Sequence, residues 1–174
     1  MTLEVAVELL LIRHAIAEER NGGDWNDDSE RPLTIAGMDR FRRIARVLAT
    51  VWDPPDLVLA SPYVRAWQTA QILQEESGWA APEACPELEP MNPPAIVLGA
   101  LQARTAAERV VLVGHEPLMH GTLSLLLGGS SDAVSLEMKK GGAALVRCDT
   151  PPVAGTADLI WLLPPRILLA VDGD

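Results

Sequence analysis

Three short apolar runs divide this chain, and each ends at a polar or turn-forming residue. The runs cover 5–12, 56–60 (DLVLA) and 109–114 (RVVLVG). Short runs in which nearly every position is apolar are typical of strands buried on both faces, as in a parallel sheet. Two further strands are predicted near the end of the chain, at 143–148 (AALVRC) and 158–163 (DLIWLL).

Between these runs the apolar residues recur at helical spacing. A first helix is predicted within 31–52, with Thr34 as its N-cap. One face of this helix carries Met38, Phe41, Ile44, Ala45, Leu48 and Val51. Three more helices are predicted: one from Ser61 and Pro62 to Gly78, one over 94–107, and one from Pro117 to Gly128 and Gly129.

The resulting order is β-α-β-α-α-β-α-β-β, which predicts the α/β class. Strands that alternate with helices favour a three-layer α/β/α sandwich around a mostly parallel sheet. We expect one domain over residues 1–174, because the chain has 174 residues and no internal repeat. In such sheets, ligands bind beyond the carboxyl ends of the strands, so those ends are the places to look for chemistry.

Composition narrows the classes of partner. A formal net charge of -10 argues against nucleic acid or an anionic membrane as the main partner. The first residues, MTLEVAVELLLI, lack a basic region and are too short a run to span a bilayer, so we expect a cytoplasmic protein. Cys85 and Cys148 are expected to be buried free thiols rather than a disulfide framework.

Three predicted strand ends carry arginines and histidines. Arg13 and His14 follow the first strand, Arg65 falls in the first turn of the helix after the second, and His115 follows RVVLVG. Two guanidinium groups can bind the oxygens of a phosphoryl group through parallel hydrogen bonds. A neutral imidazole is a good nucleophile towards phosphorus, and a second histidine can stabilise the transferring group. We therefore predict a phosphate site that needs no metal and no cofactor.

Four segments in order, LIRHA, RPLTIAG, ASPYVRAWQTA and VLVGHEP, resemble the histidine phosphatase superfamily. The RHA and RPLT versions are most similar to the bacterial SixA-like phosphohistidine phosphatases, and the resemblance covers about residues 9–147. It implies a phosphoglycerate-mutase-like fold in which His14 is transiently phosphorylated. It also implies that Arg13, Arg65 and His115 form the rest of the phosphate pocket.

The general acid stays open at this point. In larger relatives a glutamate lies after the second helix, and the segment PELEP offers Glu87 and Glu89. Glu18 and Glu19, on the loop after His14, are further candidates. Only about 15 residues separate Gly78 from the third helix, and the long insertion that covers the site in phosphoglycerate mutases is absent. This spacing favours an open, shallow site that admits a phosphate carried by a protein.

Other conspicuous residues are given structural interpretations. We expect His120 to be structural, Trp67 and Trp161 to belong to the core or its edge, and Lys139 and Lys140 to be solvated turn residues. Trp25 is either a rim for the substrate or a packing residue of its loop. The arginines Arg40, Arg42, Arg43 and Arg46 are predicted to form a solvated helix face, with a docking patch for an acidic partner as the alternative.

The functional hypothesis is a metal-independent phosphatase that acts on phosphohistidine of a signalling protein through a phosphohistidine intermediate on His14. A small-molecule phosphomonoesterase is the first alternative. A mutase of the same superfamily is another, although the short segment after Gly78 disfavours the lid that a mutase needs. A non-catalytic module that holds phosphate or a phosphorylated partner is the rival from another class.

Overall fold

The computed structural model describes residues 6–172. Its strands are β1 (Ala6–Arg13), β2 (Leu57–Ala60), β3 (Glu83–Ala84), β4 (Arg109–Gly114), β5 (Ala143–Asp149) and β6 (Asp158–Leu163). Its helices are α1 (Ile35–Val51), α2 (Val64–Ser77), α3 (Pro94–Gln102), α4 (Leu118–Gly128) and α5 (Pro165–Val171). The predicted strand start at Val5 lies outside the described residues.

All six strands form one sheet, in the order β3-β2-β4-β1-β5-β6. The first four strands of the chain pair in parallel. β5 runs antiparallel to β1, and β6 runs antiparallel to β5. The prediction of a mostly parallel sheet is therefore confirmed, and the carboxyl ends of β1, β2 and β4 meet at one edge.

Alternate residues of β1 face two separate cores, as a buried strand requires. Leu10 and Ile12 pack with α1, α2 and α5 on one side of the sheet. Leu9 and Leu11 pack with α3 and α4 on the other side. All four side chains are fully buried, so the helices form the two outer layers of an α/β/α sandwich.

Several helices begin or end at the residues that the sequence predicts. The Thr34 hydroxyl accepts a hydrogen bond from the Gly37 N–H at 2.8 Å, which makes Thr34 the N-cap of α1. Gly78 ends α2 with a left-handed φ of 69°, a conformation that favours glycine. The third helix is shorter than predicted: it ends at Gln102 rather than near 107. Val51, placed on the apolar face of α1, is 45% exposed.

Two elements were not predicted. β3 has two residues and pairs with β2 inside a segment that reads as a proline-rich connection. α5 has seven residues, begins at Pro165 and buries Leu168 against α1. Neither is long enough to show a period, so both depend on tertiary contacts that single-sequence patterns do not contain.

Both cysteines are buried and free, as expected. Between residues 6 and 172 no helix is both long enough and apolar enough to cross a membrane. In the same range no three His, Cys, Asp or Glu side chains are grouped as metal ligands would be.

Candidate functional site

The parallel pairing of β1 with β4 brings two of the predicted site residues side by side. Arg13 is in register with Gly114, so His14 and His115 each follow directly after paired positions. The His14 N–H donates to the Gly114 carbonyl at 2.9 Å, which extends the ladder by one bond. As a result the two imidazole rings lie with their centroids 5.2 Å apart.

His14 is held in one orientation by a backbone contact. Its Nδ1 lies 2.7 Å from the carbonyl oxygen of Ala15, and a carbonyl can only accept, so Nδ1 carries the proton. The lone pair of the neutral ring is therefore on Nε2. Burial lowers the pKa of His14 well below its usual range, and the nearby His115 lowers it further. At neutral pH this histidine is an uncharged base with one available nitrogen.

His115 is equally enclosed. Its Nε2 lies 2.8 Å from the Ser61 hydroxyl, and the Tyr63 ring meets the imidazole edge-on with centroids 5.2 Å apart. Its Nδ1 is buried with no hydrogen-bond partner. Burial lowers the pKa of His115 to about 3, and the charge of Arg65 contributes in the same direction. A buried polar atom without a partner carries a free-energy cost, which a hydrogen bond to a ligand would relieve.

Arg65, in the first turn of α2, is 3% exposed and is paired with an aspartate that the sequence did not single out. Its guanidinium donates to the backbone carbonyl of Asp28 at 2.6 Å and to the Asp28 carboxylate at 2.9 Å. Partial burial raises the pKa of Asp28, but hydrogen bonding to Arg31 and the charge of Arg65 outweigh this and hold it below its usual value. The Arg65 Nε is buried and free of partners, which leaves a donor available.

Arg13 is anchored by the segment that precedes β5. Its Nη1 donates to the Met138 carbonyl at 2.7 Å, and its Nε is buried without a partner. Arg13 and Arg65 thus each keep one unused buried donor next to the histidines. Guanidinium groups stay protonated throughout the physiological pH range, so both donors are permanently available.

These side chains line one cavity of about 370 Å³. Its cationic and imidazole groups are Arg13, His14, Arg20, Arg31, Arg65, His115 and Lys140. Its carboxylates are Glu18, Glu19 and Glu116. We call this cavity the catalytic pocket, after the role proposed for it below. Within a chain of net charge -10 it gathers positive charge that a small anion would complement.

Thr69 joins the two elements that carry His14 and Arg65. Its hydroxyl accepts from the Ala15 N–H at 3.0 Å and donates to the Arg65 carbonyl at 2.7 Å. Because Thr69 is fully buried, neither bond competes with water. The hydroxyl therefore fixes the chain after β1 against the first turns of α2.

The two glutamates first considered for the acid do not line the catalytic pocket. Glu87 accepts a hydrogen bond from the Cys85 thiol at 3.2 Å. Glu89 lines a neighbouring cavity together with Asp28 and Tyr63. Of the candidates from sequence, Glu18 and Glu19 do line the pocket. The segment that carries Glu87 and Glu89 does reach the pocket at Pro90, and residue spacing alone could not show which of its side chains would line it.

Several pocket residues were missed or interpreted differently. Arg31 and Glu116 lie inside segments of the resemblance but were not assigned roles, and Lys140 was interpreted as a solvated turn residue. Burial and the charge of Arg13 lower the pKa of Lys140, in keeping with its place at the pocket. His120 is bonded through Nδ1 to Glu116 at 2.6 Å, so it contacts a pocket residue rather than the core alone.

Three tryptophans away from the pocket make structural contacts. Trp67 and Trp161 pack against the core. The Trp25 indole N–H donates to the Arg20 carbonyl at 3.2 Å, a packing contact within its own loop.

The pocket is deeper than the short 78–93 segment predicts. His14 is 5% exposed and His115 is 2% exposed. The loop between β1 and α1 forms a wall of the pocket with residues 17–20 and Arg31. Arg31 holds this wall together, because it donates to the Glu18 carbonyl and to the Asp28 carboxylate. The nucleophile candidate therefore lies at the bottom of a recess.

Comparison with known proteins gives matches over most of the chain. A sequence profile of the Histidine phosphatase superfamily (branch 1) matches residues 9–93. An uncharacterized protein of a Picosynechococcus species is 31% identical over 167 residues, covering 94% of this chain and 99% of that protein. Phosphohistidine phosphatase SixA of Escherichia coli is 30% identical over 128 residues, covering 72% of this chain and 77% of its own.

Solved structures share the architecture. The protein histidine phosphatase SixA complexed with tungstate matches with a TM-score of 0.81 at 28% identity, covering 93% of this chain and 99% of its own. The α-ribazole phosphatase from Shigella flexneri matches with a TM-score of 0.72 at 17% identity, covering 91% and 97%. The second match shows a likeness of fold alone.

Proposed function

Because this chain belongs to the histidine phosphatase superfamily and to its SixA-like group, we propose that it hydrolyses phosphohistidine on a protein. The proposed nucleophile is His14, and the proposed phosphate ligands are Arg13, Arg65 and His115. One observation carries this proposal: two neutral imidazoles 5.2 Å apart lie in one pocket with two arginines, and each arginine keeps a buried Nε donor that is not used.

In the first step, Nε2 of His14 attacks phosphorus while the Ala15 carbonyl holds the proton on Nδ1. A bond forms between Nε2 and phosphorus, and the P–N bond of the substrate breaks opposite to it. The bonding electrons leave with the substrate imidazole, which takes up a proton. Hydrogen bonding to the Ala15 carbonyl also stabilises the positive charge that the ring of His14 develops.

Charge on the phosphoryl oxygens is met by donors that are already in place. Arg13 and Arg65 supply the fixed positive charge, and His115 supplies an N–H within the same pocket. These donors need no large rearrangement, because Met138 and Asp28 already hold the two guanidinium groups. Pre-positioned donors stabilise the transferring group more than mobile ones do.

The second step returns the enzyme to its starting state. Water attacks the phosphorus of the phosphoenzyme, the bond to His14 Nε2 breaks, and inorganic phosphate is released. The proton for the leaving imidazole in the first step comes from a carboxyl group of the pocket wall, where Glu18, Glu19 and Glu116 lie. The same group accepts a proton from the attacking water in the second step.

The deciding experiment locates the phosphoryl group. The protein is incubated with a phosphohistidine-carrying protein, quenched at alkaline pH and digested with trypsin, which cuts after arginine and lysine. Trypsin separates the peptide 14–20, whose only histidine is His14, from the peptide 110–139 with His115 and His120. We expect one phosphoryl group on 14–20 by mass spectrometry, together with release of inorganic phosphate.

The matched variants are His14→Asn and His120→Asn, which each remove one of the three histidines. Label on peptide 14–20 should be lost in the first variant and kept in the second. Full phosphate release by His14→Asn, or label only on 110–139, would refute the proposed nucleophile. Label without phosphate release would instead indicate a phosphotransferase or a phosphate-binding module.

A small phosphomonoester is the second candidate substrate. The observation in its favour is the size of the catalytic pocket, because about 370 Å³ is ample for a small ligand. Comparison of kcat/KM for a phosphohistidine protein and for p-nitrophenyl phosphate separates the two candidates. A higher value for the ester would favour the small-molecule activity.

A further inference from the structure

A second, larger cavity adjoins the catalytic pocket and has no part in the chemistry proposed above. Its volume is about 850 Å³, and it shares Arg13 and Lys140 with the catalytic pocket. Its apolar side chains are Ile16, Leu162, Pro164 and Pro165. We call this cavity the docking groove. The two cavities therefore meet at Arg13 and Lys140.

The apolar side chains of the groove come from three separate parts of the chain. Ile16 comes from the loop after β1, Leu162 from β6, and Pro164 and Pro165 from the start of α5. Pro165 is buried, whereas Leu162 and Pro164 are half-buried. Such a surface combines a fixed backbone with partly exposed apolar groups, which is typical of binding surfaces.

The rim of the groove carries cations that have no carboxylate partner. Arg40, Lys140 and Arg166 are exposed and line the groove. None of the three forms an ion pair with any carboxylate in residues 6–172. Lys139 and Glu137 also line the groove and pair with each other, so together they add no net charge to it.

The neighbouring arginines of α1 differ in this respect. Arg42 pairs with Asp39 and Glu76, Arg43 with Asp172, and Arg46 with Glu76. None of these three lines the groove. On one helix, therefore, the arginine at the groove is unpaired while those outside it are neutralised.

This contrast matters because the chain as a whole has a net charge of -10. Unpaired cations collected around an apolar surface next to the catalytic pocket create a local positive patch on an acidic protein. The ligand that complements such a patch is negatively charged, with apolar groups for the interior of the groove.

We propose that the docking groove binds a segment of the phosphorylated protein substrate in which acidic and apolar residues flank the phosphorylated histidine. This inference rests on the proposed function, because it assigns the neighbours of the phosphoryl group that enters the catalytic pocket. The catalytic pocket binds the phosphoryl group, and the docking groove discriminates among phosphorylated proteins.

The test uses two fluorescein-labelled synthetic peptides of equal length with a central, unphosphorylated histidine. One has Asp, Glu and Leu around the histidine, and the other has Lys, Arg and Leu. Anisotropy at low salt should show that the acidic peptide binds about tenfold more tightly, as expected for a few favourable exposed charge pairs. The preference should shrink at physiological salt because exposed charges are screened.

The groove variant is Arg40→Ala with Arg166→Ala, which leaves Arg13 and Lys140 of the catalytic pocket intact. The control is Arg43→Ala with Arg46→Ala, which removes the same net charge outside the groove. The acidic peptide should lose its advantage in the groove variant and keep it in the control. Equal loss in both variants, or no preference in the wild type, would overturn the proposal.

A parallel readout separates this inference from the proposed function. Phosphate release from phosphoramidate, a small P–N donor, should be unaffected by the groove variant. Release without acidic-peptide binding would overturn the groove and keep the phosphatase, whereas binding without release would do the reverse. Analytical ultracentrifugation tests whether the groove is instead occupied by a second copy of this chain. A wild-type dimer that dissociates in the groove variant would overturn the proposal.

Discussion

The catalytic pocket and the outer face of α1 use the same pairing of arginine with carboxylate under opposite conditions. Arg65 in the pocket is 3% exposed at its side chain and pairs with Asp28 at 2.9 Å. Arg42 on α1 is 38% exposed and pairs with Asp39, which is 65% exposed, at 2.6 Å. The distances are similar, but only Arg65 has been taken almost completely out of water, since its partner Asp28 is still 34% exposed.

The exposure of each ion pair to water determines how much it contributes to stability. An exposed pair gains little, because water already solvates both charges and salt screens them. A buried arginine that loses its carboxylate becomes an uncompensated charge. Asp28 therefore compensates the charge of a buried arginine, whereas Asp39 and Glu76 pair with arginines at the surface of a helix.

The largest difference should appear in the pH dependence of stability. Burial lowers the pKa of His115 to about 3, so between about 6.5 and 3 the unfolded chain binds a proton that the folded chain does not. The stability due to neutral His115 is complete above the unfolded pKa and is lost as pH falls through that window. The slope reaches about 1.4 kcal/mol per pH unit.

Urea unfolding of the wild type and of His115→Asn at a series of pH values measures this effect. The free energy of unfolding of the wild type should fall relative to the variant as the solution is acidified below the unfolded histidine pKa. Parallel pH profiles would show that His115 titrates normally and that the pocket is wetter than its burial implies.

The next largest effect should come from Asp28→Ala compared with Asp39→Ala. Loss of Asp28 should lower the free energy of unfolding by about 1–2 kcal/mol, a value reduced because its side chain is 34% exposed. Loss of Asp39 should cost less than about 1 kcal/mol.

Inorganic phosphate sharpens the same comparison. It should raise the Tm of Asp28→Ala more than that of the wild type, because the anion then occupies the place of the missing carboxylate beside Arg65. Thermal unfolding with and without phosphate gives both values. An equal phosphate shift in Asp28→Ala and the wild type would show that Asp28 does not compensate the charge of Arg65.

The smallest effect concerns uncharged groups. Thr69 and Thr122 are both fully buried, but only the Thr69 hydroxyl has partners. Thr69→Val should lower the free energy of unfolding by about 1 kcal/mol. It should also reduce kcat with p-nitrophenyl phosphate, because it loosens the chain after His14. Thr122→Val should change neither quantity appreciably. Equal values in the two variants would show that the Thr69 hydrogen bonds do not position the site.

The sequence predicts most of the fold and the central residues of the candidate site. The three-layer, phosphoglycerate-mutase-like fold is confirmed. It could be predicted because the apolar pattern of each strand and helix shows which of its faces is buried. Arg13, His14, Arg65 and His115 meet in one pocket because the carboxyl ends of parallel strands converge. Their roles in catalysis stay predictions.

What could not be predicted depends on contacts between distant parts of the chain. The Arg65–Asp28 pair spans 37 positions and the Arg13–Met138 bond spans 125. No local pattern records either. The same holds for the docking groove, whose residues come from distant parts of the described chain, and for Glu87 and Glu89, which do not line the catalytic pocket although Pro90 beside them does.

The position of β1 between β4 and β5 has a consequence for how the molecule opens. Its amides are hydrogen-bonded to neighbours on both sides, and its side chains enter both cores. Segments of this kind exchange their amide hydrogens only when the whole domain unfolds. His14 follows directly after this slowest-exchanging segment, so thermal fluctuations that loosen helix ends and loops leave the proposed nucleophile in place until the protein itself comes apart.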